Sequence, residues 1–265
     1  MGKGLYEKVQ GEGGDVVLLH GLFGQGGNLQ SIAKALEGRF RVHSLDLPDH
    51  GRSPWSAEPS ITGYAEAVNA WMTVQGIEDA FFLGHSLGGK VAMALALKRP
   101  ERVKRLVVAD IAPVSYEPSH EAVFQGLEAV AVAGCQTRKA AGVVLENFIE
   151  ELGVRQFLLM SLVKDEGSGA FDWRLNHRAL AKAYPSLLRG VSSESPFDEP
   201  TLFIRGEKSA YVGDDHLPVI RRLFPFFRLT TLAGAGHWLH AEAPKLFNEQ
   251  VLTFFSGSAD PEKLL

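Results

Sequence analysis

Short apolar runs alternate with amphipathic stretches over the first 110 positions of the chain. The runs DVVLLH, RVHSLDL, AFFLGH and RVKRLVVADIA have the pattern of strands, and the stretches between them have apolar residues at helical spacing. This alternation predicts a parallel sheet with helices on both faces. At the start, LYEKVQ, GEGG and DVVLLH predict a hairpin that leads into the first buried strand.

The strand pattern stops between about Pro113 and Glu199, where several helical stretches follow one another. Gly167, Gly169 and Pro185 are predicted to break them. Two strand-like runs, PTLFIRGE and FRLTTLAGAGHW, and a closing helical stretch, PKLFNEQVLTFF, then complete the chain. We therefore expect an α/β core in residues 1–112 and 200–265 and a helical cap in residues 113–199. The tail SGSADPEKLL is expected to be loosely ordered.

Composition and charge exclude several classes of protein. The chain has 265 residues, of which 45% are hydrophobic and 22% charged, as expected of a globular domain with or without an insertion. Its net charge of −4 is unlike the excess of basic residues that a nucleic-acid-binding protein needs to neutralise phosphates. Apolar runs fall short of the roughly 20 residues that span a bilayer, and the polar start has no signal-peptide core. A cytoplasmic protein without a membrane span, a monomer or a weak homodimer, is expected.

Metal and disulfide chemistry are not expected either. The chain has no CxxC or HExxH spacing. Its single cysteine, Cys135, cannot form an internal disulfide and lies in the apolar run AVAGCQTRKA. It is therefore predicted to be a small buried hydrophobe.

Ser86 is the candidate nucleophile. Gly84, His85, Ser86, Leu87 and Gly88 fit G-x-S-x-G, and the motif lies after a predicted strand and before a predicted helix. A strand-to-helix turn this tight strains the central residue, and glycines remove the collisions that flanking side chains would make. The hydroxyl then projects from the end of the sheet, close to the free N–H groups of the helix.

A serine hydroxyl needs a base, and His237 is the best of nine histidines. It lies in the glycine-rich GAGHW loop after the last predicted strand, where the chain order serine, acid, histidine requires the base. His240 is predicted to pack or to cap the following helix. His85 should point away from the serine in a structural role, and His50 should brace a loop.

Two backbone N–H groups are predicted to hold the oxyanion. The HGLFG segment follows the strand DVVLLH and can supply one N–H, from Leu22 or, in an alternative register, from Phe23. Leu87, the residue after the nucleophile, supplies the second. His20 is predicted to be a hydrogen-bonded brace of the loop.

The motifs HGLFG, DLPDHGRS, GHSLGGK, DIAPV, WRLN and GAGHWLHAE together resemble the α/β-hydrolase superfamily, and specifically the YbfF-type bacterial esterases. The resemblance spans nearly the whole chain. It implies an eight-stranded, mostly parallel sheet with a helical cap between the sixth and seventh strands. It also implies a hydrolase that cleaves small to medium acyl esters, or acyl thioesters, and needs no cofactor.

The triad acid departs from the pattern of most relatives, which place it after the strand that follows the cap. There RGEKSAYV has Ala210. Asp110, at the end of the strand VKRLVVAD, is the preferred candidate because neighbouring parallel strands end at the same rim, and the resemblance implies this position too. Glu207 stays an alternative, whereas Asp214 and Asp215 lie too far along the chain.

The cap is expected to determine the substrate. Phe23, Trp173 and Trp238 are the candidate substrate-binding residues. Further candidates for an apolar acyl pocket are Phe157, Leu158, Phe171 and Arg174. The sequence shows no clamp for a polyanionic carrier.

A second function stays open, because lyases and carbon–carbon bond hydrolases share this fold. Such enzymes need cap arginines that grip carboxylates, and Arg155, Arg174 and Arg178 are the candidates. A third reading is a ligand receptor on an inactivated scaffold, which the intact Ser86 and His237 disfavour.

Overall fold

A seven-stranded, mostly parallel sheet forms the centre of the computed structural model, which describes residues 4–165, 167 and 169–257. The strands are β1 (Glu7–Gln10), β2 (Gly14–Leu19), β3 (Phe40–Leu45), β4 (Ala80–His85), β5 (Val103–Ala109), β6 (Leu162–Lys164), β7 (Phe171–Trp173), β8 (Thr201–Gly206) and β9 (Phe227–Leu232). The main sheet has the order β1-β3-β2-β4-β5-β8-β9, and only β1 is antiparallel to its neighbour.

Helices cover both faces of the sheet. They are α1 (Gln30–Leu36), α2 (Ile61–Gln75), α3 (Leu87–Lys98), α4 (Glu121–Ala133), α5 (Arg138–Glu146), α6 (Leu152–Leu159), α7 (His177–Leu187), α8 (Leu217–Leu223), α9 (Leu239–Glu242) and α10 (Pro244–Phe255). Along β2, Val16 and Leu18 belong to the core that α1 and α10 cover, whereas Val17 and Leu19 belong to the core that includes α2, α3 and α8. The side chains of one strand thus enter two cores, which confirms the predicted parallel sheet with helices on both faces.

The start of the chain differs from the prediction. β1 pairs with β3 instead of forming a hairpin with β2. Both edges of β2 are occupied, because it pairs in parallel with β3 and β4. The half-exposed β1 can therefore take only the outer edge of the sheet.

The number of strands and the place of the insertion differ as well. The described residues give seven strands in the main sheet instead of eight. Residues 113–199, called the inserted segment from here on, therefore lie between its fifth and sixth strands, β5 and β8, rather than between the sixth and seventh.

The inserted segment contains the four predicted helices, α4 to α7, but also a feature the pattern missed. β6 and β7 form a small antiparallel hairpin between α6 and α7. Strands of three residues are too short to show a period of two, so a purely helical segment was the wrong prediction. Pro185 does not break its helix either, because it lies near the end of α7.

Two other expectations can be compared with the described residues. Cys135 is free and buried, as predicted. Within residues 4–165, 167 and 169–257, no helix is both long and apolar enough to cross a bilayer. The tail predicted to be loosely ordered lies outside the described residues, apart from Ser256 and Gly257.

Candidate active site

Ser86 stands on a sharp turn between β4 and α3. Its backbone has φ 53° and ψ −118°, a conformation that L-residues rarely adopt. A Cβ at Gly84 would lie 2.2 Å from the carbonyl oxygen of Gly88, and one at Gly88 would lie 2.3 Å from that of Leu19. Any side chain at either position would collide with backbone. The glycines therefore have the steric role that the motif predicted.

A buried carboxylate and an imidazole meet at the same end of the sheet. Asp110 directly follows β5, and its Oδ2 lies 2.7 Å from Nδ1 of His237, in the loop after β9. Asp110 is fully buried, and its backbone φ of 51° is strained like that of Ser86. Because Nδ1–H donates to the carboxylate, the lone pair of the imidazole is at Nε2.

Two groups, one at the end of β8 and one in the loop after it, also donate to Asp110. The Gly206 N–H donates to Oδ1 at 3.0 Å, and the Ser209 hydroxyl donates to Oδ2. The end of β8 and the loop after it thus orient a carboxylate from the neighbouring strand. Sequence reasoning missed Ser209, although its position one residue before Ala210 was a signal.

The alternative acids are occupied elsewhere. Glu207 is exposed, and its Oε2 accepts from the Gly234 N–H at 2.8 Å. Asp214 pairs with Arg205 at 2.7 Å, and the Asp215 side chain is 82% exposed. Among the four candidate carboxylates, Asp110 is the one that hydrogen-bonds to His237.

Ser86 and His237 line the same cavity. Among the described residues, no hydrogen bond joins the Ser86 hydroxyl to the His237 ring; such bonds are often long in unliganded enzymes and tighten with substrate. His85, next to the serine, binds the His237 backbone oxygen through Nε2 at 2.9 Å, and the two rings lie 4.8 Å apart. This is the structural role predicted for His85. The Tyr211 ring, which the sequence did not reveal, lies against the His237 ring with centroids 4.2 Å apart.

Of the two candidate N–H groups in the HGLFG loop, Leu22 and Phe23, one is engaged and one is available. The Phe23 N–H donates to Nε2 of His50 at 3.3 Å, whereas the Leu22 N–H has no protein acceptor in the part of the chain that the structure describes. This favours the Leu22 register for an oxyanion hole. Leu87 is the first residue of α3, so its N–H has no intrahelical acceptor.

His20 and His50 brace this loop, as predicted. His20 Nε2 accepts from the Leu47 N–H at 2.9 Å, and its Nδ1 donates to the Gly21 oxygen at 2.8 Å. Burial lowers the pKa of His20 to about 4 and that of His50 to about 3. Both rings are therefore neutral near neutral pH.

His240 is buried against the rings of His85 and Phe247, which confirms the predicted packing. Its Nδ1 has no hydrogen-bond partner among the described residues. Burial lowers the pKa of His240 to about 4.

Replacing His240 with phenylalanine should make the fold less sensitive to acid. With a folded pKa of about 4 and an unfolded value of about 6.5, the stability linked to this histidine is present above pH 6.5 and lost as the pH falls towards 4. We expect the unfolding free energy of His240→Phe to fall about 2 kcal/mol less than that of the unmodified chain between pH 8 and pH 5. Urea unfolding at the two pH values measures this, and equal losses would contradict it.

The cavity beside Ser86 has a volume of about 490 Å³ and mostly apolar walls. Phe23 and Trp238 line it, as predicted, together with Phe157 and Leu158. The rings of Phe157 and Trp238 lie 5.9 Å apart, so the inserted segment meets the loop of His237 here.

Trp173 was wrongly predicted to bind substrate. It is buried in the inserted segment, where its Nε1 donates to the Leu127 oxygen at 2.7 Å. It packs in the interior of that segment and does not line the described walls of the cavity. Phe171, also proposed for the pocket, lies under the guanidinium of Arg138 instead.

The candidate arginines also lie away from the cavity. Arg155 binds backbone oxygens and Glu146, and Arg178 pairs with Glu128. Arg174, like these two, does not line the described walls.

Lys90 is a cavity residue that sequence reasoning missed. Its Nζ donates to the Leu188 and Arg189 oxygens at 2.8 and 2.7 Å, and burial lowers its pKa to about 7. The signal was one lysine in an otherwise apolar helix, KVAMALAL.

Among the described residues, no group of three or more His, Cys, Asp or Glu side chains could hold a metal ion.

Comparisons with known proteins show which family the chain resembles. The alpha/beta hydrolase family matches residues 16–250. The sn-1-specific diacylglycerol lipase ABHD11 of Mus musculus is 41% identical over 249 residues, which cover 91% of this chain and 80% of the mouse protein. Esterase YbfF of Escherichia coli K12 is 37% identical over 230 residues, which cover 86% of this chain and 88% of that protein.

A solved structure gives the same result. A marine microorganism esterase superimposes with a TM-score of 0.92 at 36% identity, over 95% of this chain and 99% of that one. Its fold is thus shared over nearly the full length of both chains. The chain belongs to the α/β-hydrolase family, and within that family it is a YbfF-type esterase.

Proposed function

We propose that the protein is a serine carboxylesterase that works through a triad of Ser86, His237 and Asp110. The observation that carries the proposal is the buried Asp110 carboxylate, hydrogen-bonded at 2.7 Å to His237 at the rim where Ser86 stands. An acid that fixes the tautomer of an imidazole beside a strained serine is the arrangement that acyl transfer needs.

The reaction has two halves. Ser86 Oγ attacks the ester carbonyl carbon while His237 Nε2 takes the hydroxyl proton, and the carbonyl oxygen becomes an oxyanion held by the N–H groups of Leu22 and Leu87. When the intermediate collapses, the carbon–oxygen bond to the alcohol breaks and His237 returns the proton to the leaving oxygen. Water then attacks the acyl-enzyme in the same way and releases the acid and Ser86.

The substrate class follows from the cavity. Apolar walls at Phe23, Phe157, Leu158 and Trp238 suit a small to medium acyl chain. Acyl thioesters fall within the proposal, because their carbonyl carbon is attacked in the same way. Residues 113–199 act in this proposal as a cap over the cavity and contribute Phe157 and Leu158 to its wall.

The carbon–carbon bond hydrolase has less support. It requires cap arginines beside the reacting centre, and Arg155 and Arg178 are paired with carboxylates elsewhere. A cytoplasmic location and a monomeric or weakly dimeric state stay predictions from the sequence.

A substrate panel tests the proposal. We expect hydrolysis of p-nitrophenyl esters with short and medium acyl chains, weaker hydrolysis of long ones, and no cleavage of carboxylated carbon–carbon substrates. Acyl thioesters of the same chain lengths, assayed in parallel, show whether the leaving group matters. Cleavage of the carboxylated substrates without any ester hydrolysis would overturn the esterase.

A further inference from the structure

The oxyanion loop is held at both backbone polar groups of one residue, Phe23. The Phe23 N–H donates to His50 Nε2 at 3.3 Å, and the Phe23 oxygen accepts from the Ser161 hydroxyl at 3.1 Å. Phe23 itself has φ 66°, which is uncommon for a bulky residue and persists only where the surroundings impose it. Among residues 4–165, 167 and 169–257, these are the two side chains that hydrogen-bond to the Phe23 backbone, one residue after Leu22.

His50 is fixed in the tautomer that this bond requires. Its Nδ1 lies 2.8 Å from the Pro48 oxygen, which can only accept, so Nδ1 holds the proton and Nε2 the lone pair. The ring is completely buried. His50 is therefore a neutral, oriented acceptor for the loop.

The inserted segment holds the turn on which His50 stands. The Gly51 N–H donates to the Arg174 oxygen at 2.9 Å, and the Asn176 N–H donates to the Asp49 oxygen at 2.9 Å. The Asn176 side chain adds a bond to the Asp49 carboxylate at 2.8 Å.

The second hold belongs to the same part of the inserted segment. The Arg174 N–H donates to the backbone oxygen of Ser161 at 2.8 Å. Arg174, whose oxygen accepts from the Gly51 N–H, therefore also holds Ser161 in place. Ser161 is buried, and it precedes β6 of the small hairpin. The inserted segment is therefore linked to Phe23 in two ways. Ser161 binds Phe23 directly, and residues 174 and 176 bind the turn that carries His50.

We propose that His50 and Ser161 are positioning residues that aim the Leu22 N–H at the oxyanion, so that the inserted segment sets transition-state stabilisation as well as substrate binding. This rests on the proposed function, because it assumes that Leu22 helps to form an oxyanion hole. Neither side chain needs to touch the substrate. Each acts through the backbone of Phe23, His50 at its N–H and Ser161 at its oxygen.

Kinetics of single variants test the proposal. Removal of a direct oxyanion donor costs about 10²–10³-fold in kcat, so displacement of one donor should cost less. We expect Ser161→Ala and His50→Leu to lower kcat for an ester about 10- to 100-fold, with KM within about twofold. Ser161→Thr and His50→Gln, which retain a hydroxyl and an acceptor, should recover part of the loss. Ser186→Ala, in α7 of the same segment, is the matched control and should behave like the unmodified protein.

A thionoester separates positioning from a general loss of structure. Sulfur is a weak hydrogen-bond acceptor, so a thionoester gains little from the oxyanion hole. The ratio of kcat/KM for an ester to that for the matching thionoester should therefore fall about 10-fold or more in Ser161→Ala and stay constant in Ser186→Ala. If His50→Leu does not fold, Ser161→Ala and Ser161→Thr still give this result.

Each outcome decides the question. A rise in KM with unchanged kcat, or an unchanged ester-to-thionoester ratio in Ser161→Ala, would overturn the positioning role while the esterase proposal stands. If instead the unmodified protein hydrolyses no ester, the proposed function itself fails.

Discussion

Replacing Ser86 with alanine should lower kcat for ester hydrolysis about 10⁵- to 10⁶-fold and leave the fold intact. Without the hydroxyl no acyl-enzyme can form, and only substrate binding and the oxyanion donors remain. The side chain makes no hydrogen bond within the described residues that the fold would lose. Steady-state hydrolysis of a p-nitrophenyl ester measures the loss, and thermal unfolding checks the fold.

Ser186→Ala is again the control, since this serine lies in α7 and its hydroxyl binds the Ala183 oxygen. It should retain full activity. If Ser86→Ala kept more than about one hundredth of the activity, a different nucleophile would have to be sought.

Asp110→Asn should lower kcat about 10³- to 10⁴-fold. The asparagine amide can donate to Nδ1 of His237, which moves the imidazole proton to Nε2 and removes the base that Ser86 needs. Because Gly206 and Ser209 also bind this side chain, part of the loss can come from displacement of the end of β8 and of the loop after it. Comparison of thermal unfolding with activity separates the two effects.

Glu207→Gln is the matched control for the acid. Its carboxylate is exposed and bound to the Gly234 N–H, so activity should stay within about twofold of the unmodified protein. A severe loss in Glu207→Gln together with a mild one in Asp110→Asn would contradict the assignment of the acid.

The centre of the sheet could be predicted from the sequence because its strands are apolar on both faces. β4 and β5 are buried between helices, so their runs stand out without any knowledge of their neighbours. The edges could not be predicted in this way. Which strand β1 pairs with depends on β2 being already flanked by β3 and β4, which local periodicity does not encode.

The site divides along similar lines. Ser86 and His237 lie in glycine-rich loops at strand ends, a local signal that the chain carries in a few residues. Asp110 is 127 positions from His237, and only the order of β5, β8 and β9 brings it near that loop. The resemblance favoured Asp110, but its partners Gly206 and Ser209 needed the structure.

Trp173 shows that a sequence pattern does not predict which way an aromatic side chain points. Aromatic residues in a helical insertion have the same spacing whether they face a cavity or the interior of the segment. Here the Leu127 oxygen receives the indole N–H, so the ring is turned inward. The hydrogen bond from Ser161 to Phe23 spans 138 positions and is equally invisible in the sequence.

Covalent labelling with a fluorophosphonate, followed by peptide mass mapping, tests the proposed nucleophile on the intact protein. The probe phosphonylates a serine activated by a neighbouring base, with loss of fluoride. The triad predicts one adduct per chain, on Ser86, with labelling abolished in Ser86→Ala and strongly slowed in Asp110→Asn. An adduct on another residue, or equal labelling of Ser86→Ala, would contradict it.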